Sequence, residues 1–250
     1  LGAEPAEIVF TSGATESNNL AILGAARAAR GRGDHVVTSA VEHRSVLDPC
    51  RQLAAEGFEV TVLAPDETGR VAVEAVAAAL KDRTILVSLM AAQNEVGTLN
   101  PVAEIGALCG SRGVLFHTDA AQALGKVPFD VSSGVALASL SAHKLHGPKG
   151  VGALWVRGRP RVALAPLVFG GGHERGLRSG TLNVPGIAGF GAAVRLASRE
   201  RDVEAAGRDQ LGRRRPARAE GDVGRRDRDR DRRARHPLRP QRPRADVGPR

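Results

Sequence analysis

Two patterns of apolar and polar positions alternate along the first two hundred residues. Short, nearly unbroken apolar runs rich in Val, Ile and Leu occur at "EIVF", "HVVTSA", "EVTVLA", "TILVSLM", "VLFHTD" and "VALASLS". Longer mixed stretches separate them: "ESNNLAILGAARAAR", "SVLDPCRQLAAEG", "VAVEAVAAALK" and "PVAEIGALCGSRG". A continuous apolar run, without polar alternation, predicts a strand buried on both faces. Strands of that kind, alternating with helical stretches, predict a mostly parallel sheet with helices packed on each side, the α/β class. No repeat period and no internal linker is seen before about residue 199.

Composition narrows this picture. A chain of 250 residues with 42% hydrophobic content has material for one large domain or one and a half. No apolar run approaches the roughly 18 residues that span a bilayer, so no membrane partner is expected. The first residues, "LGAEPAEIVF", have neither an initiating Met nor a signal-peptide layout and read as the interior of a longer protein. Two well-separated cysteines, Cys50 and Cys109, argue against a disulfide scaffold or a metal site and suit a reducing cytoplasm.

The net charge of +9 suggests nucleic acid until it is located. Residues 199–250 hold 18 of the 36 Lys and Arg and 10 of the 27 Asp and Glu, leaving 18 basic against 17 acidic residues in 1–198. The body is nearly neutral. The basic stretch "GRRDRDRDRRARHPLRPQRPRADVGPR" has no aromatic, no Ile and no Lys, and is expected to be a disordered tail. Its interleaved acids and missing aromatics argue against nucleic-acid binding. It reads as the out-of-frame translation of a GC-rich gene. The expected organisation is a domain at 1–198 followed by a tail at 199–250.

In an open α/β sheet, ligands lie beyond the carboxyl ends of the strands, and here those ends carry chemistry. "EIVF" is followed by "TSGATES", a small-residue turn opening a helix. "HVVTSA" is followed by "VEHRS", "TILVSLM" by "AAQNEVG", and "VLFHTD" ends on Asp119. "ALASLS" runs into "AHK". Singly, each has an ordinary reading as a cap, a turn or a surface side chain. Together they describe one ligand. A glycine-containing turn at a helix N-terminus with the Thr15 hydroxyl binds a phosphate. A strand-end carboxylate suits a protonated ring nitrogen, an imidazole covers a ring face, and a lysine forms an imine with an aldehyde. The ligand so described is pyridoxal 5′-phosphate. A nucleotide loop is excluded because "GPKGVG" and "FGGGHERG" lack the Gly-Lys-[Ser/Thr] ending.

Six stretches, "VFTSGATESNNLAI", "VEHRSVLDPCRQL", "NEVGTLNPVAEIG", "HTDAAQALGKVPFD", "SAHKLHGPKGVGALWVR" and "GGGHERGLRSGTLNV", resemble in order those of the cysteine desulfurases. These enzymes form part of the class V aminotransferase group of fold type I pyridoxal-phosphate enzymes. The resemblance covers residues 5 to 198. It implies that Lys144 is the imine lysine and that His43 stacks on the ring and assists proton transfer. It implies further that Asp119 keeps the ring nitrogen protonated and that Asn94 and Gln122 contact the phenolic oxygen. Ala14, Thr15, Ser141 and His143 would bind the phosphate, joined by Thr181 from the neighbouring subunit of a homodimer. Lys149 matches a second family lysine outside the imine role.

The chemistry implied is conversion of L-cysteine to L-alanine, with sulfur passed to an enzyme cysteine for iron-sulfur cluster or thio-cofactor assembly on an acceptor or scaffold protein. In the family that cysteine lies on a loop well downstream of the lysine, and this sequence has no cysteine after Cys109. Cys50 and Cys109 sit in helix-like stretches that favour inert thiols. The family's small C-terminal domain, with its substrate-carboxylate arginine, is also without a counterpart. The chain is therefore expected to be a desulfurase large domain, truncated in front and shifted out of frame behind, without turnover of its own. The alternatives are a related class V enzyme such as a selenocysteine lyase, or a non-catalytic pyridoxal-phosphate-binding protein.

Overall fold

The computed structural model describes residues 1–132 and 134–213, and the remaining stretch of the expected tail, 214–250, lies outside the described residues. Leu1–Ala205 forms one compact unit, and a second comprises Ala206–Arg250. The six apolar runs are strands: β1 (Ile8–Thr11), β2 (His35–Ser39), β3 (Glu59–Leu63), β4 (Thr84–Ser88), β5 (Leu115–Asp119) and β6 (Leu137–Ser141). A seventh, β7 (Gly152–Val156), comes from "GALWV". The seven form one sheet in the order β1-β7-β6-β5-β4-β2-β3. Strands β2 to β6 are parallel to one another, and β7 runs antiparallel to both β6 and β1.

In β2, β4, β5 and β6 adjacent residues serve opposite layers, which is why those runs show no polar alternation, whereas β3, at the edge of the sheet with Val62 exposed, is not buried on both faces as its run predicted. Val36, Leu86, Leu137 and Leu154 face helices α1 (Ala14–Asn19), α2 (Ala25–Ala28) and α3 (Arg44–Ala55). A π-helical turn at Leu20–Gly24 joins α1 to α2. Val37, Val87, Ala138 and Trp155 face α4 (Val73–Ala79) and α5 (Val102–Ser111). The last helix, α6 (Val184–Arg213), lays Phe190 and Ala193 on a third apolar cluster below the β6–β7 connection. It does not stop at residue 198, where the tail was expected to begin. Ala, Arg, Glu and Leu, all good helix formers, dominate 196–213, and no proline interrupts before Pro216.

Two histidines are buried inside the sheet, each between hydroxyls of the flanking strands. His35 meets Thr84 Oγ1 through Nδ1 at 2.7 Å and Thr61 Oγ1 through Nε2 at 2.8 Å. His117 meets Ser88 Oγ through Nδ1 at 2.8 Å and Ser139 Oγ through Nε2 at 2.9 Å. Full burial disfavours the charged imidazolium and pushes His117 down to about 3.

Candidate active site

A cavity of about 550 Å³ opens at the carboxyl ends of β1, β4, β5 and β6, beside the start of α3. Nine of the ten residues predicted from sequence line it: Ala14, Thr15, His43, Asn94, Asp119, Gln122, Ser141, His143 and Lys144. Lys149 lines it too. Thr181 is exposed and lies outside the cavity wall.

One end is built to receive an anion. The turn Ser12-Gly13 enters α1, whose first-turn N–H groups have no intrahelical acceptor. Gly13 adopts φ 155°, and the backbone of β7 passes so close beneath it that a Cβ on Gly152 would lie 2.6 Å from Gly13 Cα. Across the cavity Ser141 ends β6, its Oγ 2.9 Å from His143 Nδ1. Desolvation, with the charges of Lys144 and Lys149, lowers the His143 pKa. The anion end is tied to the glycine-rich segment. Glu16 accepts from Ser12 N at 2.7 Å and pairs with Arg178 at 2.7 Å.

Asp119 forms the floor. It is 7% exposed, and its Oδ1 accepts from Ala121 N at 3.0 Å. Its Oδ2 accepts from Asn18 Nδ2 at 2.7 Å. Burial pushes its carboxyl above the ordinary range, against those two hydrogen bonds and the nearby His43 and Lys144. Among the described residues no ion pair reaches it. A buried carboxylate open to a cavity without a counter-ion is suited to a cationic ligand atom.

His43 caps α3, its Nδ1 accepting from Ser45 N at 3.1 Å, and the same nitrogen is 2.7 Å from Ser45 Oγ. Lys144 projects from a short 3₁₀ turn, Ala142–Leu145, and is exposed to the cavity. Asn94 stands on a loop shaped by Gln93, whose Oε1 accepts from the N–H groups of Glu95 and Val96. Gln122 accepts from Lys126. The cavity therefore combines an anion end, a buried carboxylate, an imidazole and an exposed primary amine, which fits pyridoxal phosphate group by group.

Sequence reasoning missed Asn18, Ser45 and Glu42. Glu42, next to His43 in sequence, is buried. Its Oε1 accepts from Met90 N at 2.7 Å, its Oε2 has no partner among the described residues, and burial pushes its carboxyl well above the usual range. The adjacency "EH" was the only available signal. Cys50 and Cys109 are 2% and 0% exposed, and burial pushes both thiols up to about 12.

The family model for "Aminotransferase class-V" matches residues 1–212. The chain is 57% identical over 206 residues to the cysteine desulfurase IscS of Anaeromyxobacter dehalogenans, covering 82% of this chain and 51% of that protein. It thus spans about half the length of the curated relatives it matches. The crystal structure of DndA from Streptomyces lividans superposes with a TM-score of 0.77 at 48% identity, covering 80% of this chain and 58% of that one. SspA in complex with cysteine gives 0.75 at 45% identity, covering 78% and 56%.

Proposed function

The chain belongs to the class-V aminotransferase family, and we propose that it is the pyridoxal-phosphate-binding part of a cysteine desulfurase. The observation that carries this reading is the convergence of Lys144, Asp119 and His43 on one cavity. The similarity to SspA, whose structure contains cysteine, supports L-cysteine as substrate. When bound, pyridoxal phosphate supplies an electron sink that weakens the bonds at the amino-acid Cα.

The chain's own residues do the rest. Ala14, Thr15, Ser141 and His143 hold the phosphate. In a homodimer the Thr181 of each subunit adds a contact to the other's site, consistent with its place outside its own cavity wall. Asp119 holds a proton at the ring nitrogen and gains the counter-ion that its burial calls for. Asn94 and Gln122 orient the ring through its phenolic oxygen. His43 would lie against the cofactor ring and exclude water from it. Lys144 Nζ would hold the aldehyde end of the cofactor, and its amine would move a proton at the amino-acid Cα.

Release of sulfur requires a thiolate at the substrate sulfur. The buried thiols of Cys50 and Cys109, held neutral, cannot serve. Sulfur transfer toward an iron-sulfur scaffold or thio-cofactor acceptor therefore needs a cysteine other than these two. A reducing compartment such as the cytoplasm suits this chemistry.

Titration of the protein with pyridoxal phosphate tests the reading. Visible absorbance of lysine-attached cofactor should appear, vanish in Lys144→Ala and persist in Lys149→Ala. The opposite pattern, or no absorbance in the unaltered chain, would overturn it.

A further inference from the structure

Asn18 is 0% exposed, in the last turn of α1, and it makes two donor contacts at once. Its Nδ2 lies 2.7 Å from Asp119 Oδ2 and 2.8 Å from Ser45 Oγ. Its Oδ1 is buried without a hydrogen-bond partner among the described residues. Buried polar atoms are nearly always paired, and an orphan in a functional region calls for an explanation. Turning the amide over would not help while Asp119 is ionised, because Oδ1 would then face the carboxylate oxygen. The orientation with Nδ2 toward Asp119 is the one an anionic Asp119 selects.

Ser45 Oγ, accepting from Asn18, has its own proton free to donate. The acceptor in reach is His43 Nδ1, at 2.7 Å, which also receives the backbone N–H of Ser45 at 3.1 Å. A nitrogen that accepts two hydrogen bonds carries no proton. Neutral His43 is therefore the Nε2–H tautomer. Its Nε2 has no protein partner among the described residues and remains as the one hydrogen-bonding group the ring can offer, as a donor.

We propose that Asn18 is a positioning residue that couples two groups lining the cavity: the Asp119 carboxylate, and His43 held through Ser45 as an Nε2–H donor. Protonated Asp119 would instead donate to an inverted Asn18 amide. The Ser45 hydroxyl would then turn toward Asn18 Oδ1 and leave His43 Nδ1 with only its backbone donor. The state of the carboxylate is thus relayed to the imidazole through one amide group. This rests on the pyridoxal-phosphate reading for its use in the reaction, but the relay itself exists without cofactor.

The experiment is nitrogen-15 NMR of the histidine rings in the cofactor-free protein, followed by pyridoxal-phosphate titration. In the unaltered chain His43 should be the Nε2–H tautomer, with Nδ1 shifted upfield by its hydrogen bonds. Asp119→Asn should reduce that upfield shift, and the response should be lost in the Asn18→Leu background. Ser45→Ala, which keeps the backbone cap, should lose the response as well, while Ser45→Thr should restore it. Ser45→Ala also covers the case in which Asn18→Leu does not fold.

The titration should show about tenfold weaker pyridoxal-phosphate binding in Asn18→Leu, the measure of one hydrogen bond to a charged group. An Nδ1 signal unmoved by Asn18→Leu and Ser45→Ala, or a protonated Nδ1 in the unaltered chain, would overturn the relay even if cofactor binds. Normal relay behaviour with no cofactor binding would instead overturn the functional reading.

Discussion

Acidification should destabilise this protein through a histidine that plays no part in the cavity. His117 is 0% exposed on β5 and bridges Ser88 on β4 and Ser139 on β6. Burial pushes it down to about 3, from an ordinary value of 6.5. Below pH 6.5 the unfolded chain takes up a proton that the folded chain refuses. The contribution is fully present above pH 6.5 and is lost progressively as pH falls toward 3. Each pH unit in that window is worth about 1.4 kcal/mol, so acidification to pH 5 removes about 2 kcal/mol and to pH 3 about 5 kcal/mol. Two is a large fraction of the roughly 5 to 15 kcal/mol that holds a domain together.

Urea unfolding at pH 7.5 and pH 5.0 measures the loss. His117→Gln, which retains an amide for the serines but cannot titrate, should start less stable at pH 7.5. It should then lose about 2 kcal/mol less than the unaltered chain on going to pH 5.0. His35, Glu42 and Asp119 also titrate abnormally, but both proteins share them and the difference isolates His117. Equal losses within about 0.5 kcal/mol would mean that His117 is accessible to protons in the folded state, which would refute the burial argument.

Other expectations are simpler to check. Asp119→Asn should still attach pyridoxal phosphate at Lys144 but exchange the Cα proton of an amino acid for deuterium at least about 100-fold more slowly, and unchanged exchange by proton NMR would remove Asp119 from the reaction. Cys50 and Cys109 should resist a thiol reagent such as Ellman's in the native protein and react once urea is added, whereas rapid native labelling would reopen their candidacy as sulfur acceptors. Gly152→Ala would place a Cβ 2.6 Å from Gly13 Cα and from the Leu140 carbonyl oxygen, so cofactor affinity should fall about tenfold and stability by about 1 to 3 kcal/mol. Unchanged binding by titration would show that the anion turn does not depend on β7.

Strand ends were the legible part of this sequence. Asp119 and Ser141 close apolar runs, and His43 and Lys144 follow such runs by a few residues, so position relative to a strand marked them before any contact was known. β7 was not legible as a strand. "GALWV" follows a glycine-proline turn closely and reads as part of a motif, and nothing local states that it enters antiparallel between β6 and β1. Asn18 and Ser45 were hidden for a different reason. Each sits in a helix where an amide or hydroxyl is an unremarked polar position, and their partners lie far away in sequence. Composition located the basic stretch, but it overlooked that Arg, Ala and Glu also make good helix, so α6 runs beyond residue 198.

The antiparallel placement of β7 bears on how the site is assembled as the chain folds. Ser141 at the end of β6 pairs with Gly152 at the start of β7, so Lys144 rides on a hairpin closed by neighbours in sequence. The partners of Asn18 are 27 residues away at Ser45 and 101 residues away at Asp119. Local contacts form quickly, and distant ones wait for the loops between them to close. The amine is thus in place early, and the acid and imidazole that give it chemistry arrive only when the parallel sheet is complete. A partly folded chain carries a lysine without the carboxylate and imidazole that line its cavity, and reactivity toward the aldehyde becomes specific only with the last long-range contacts of the fold.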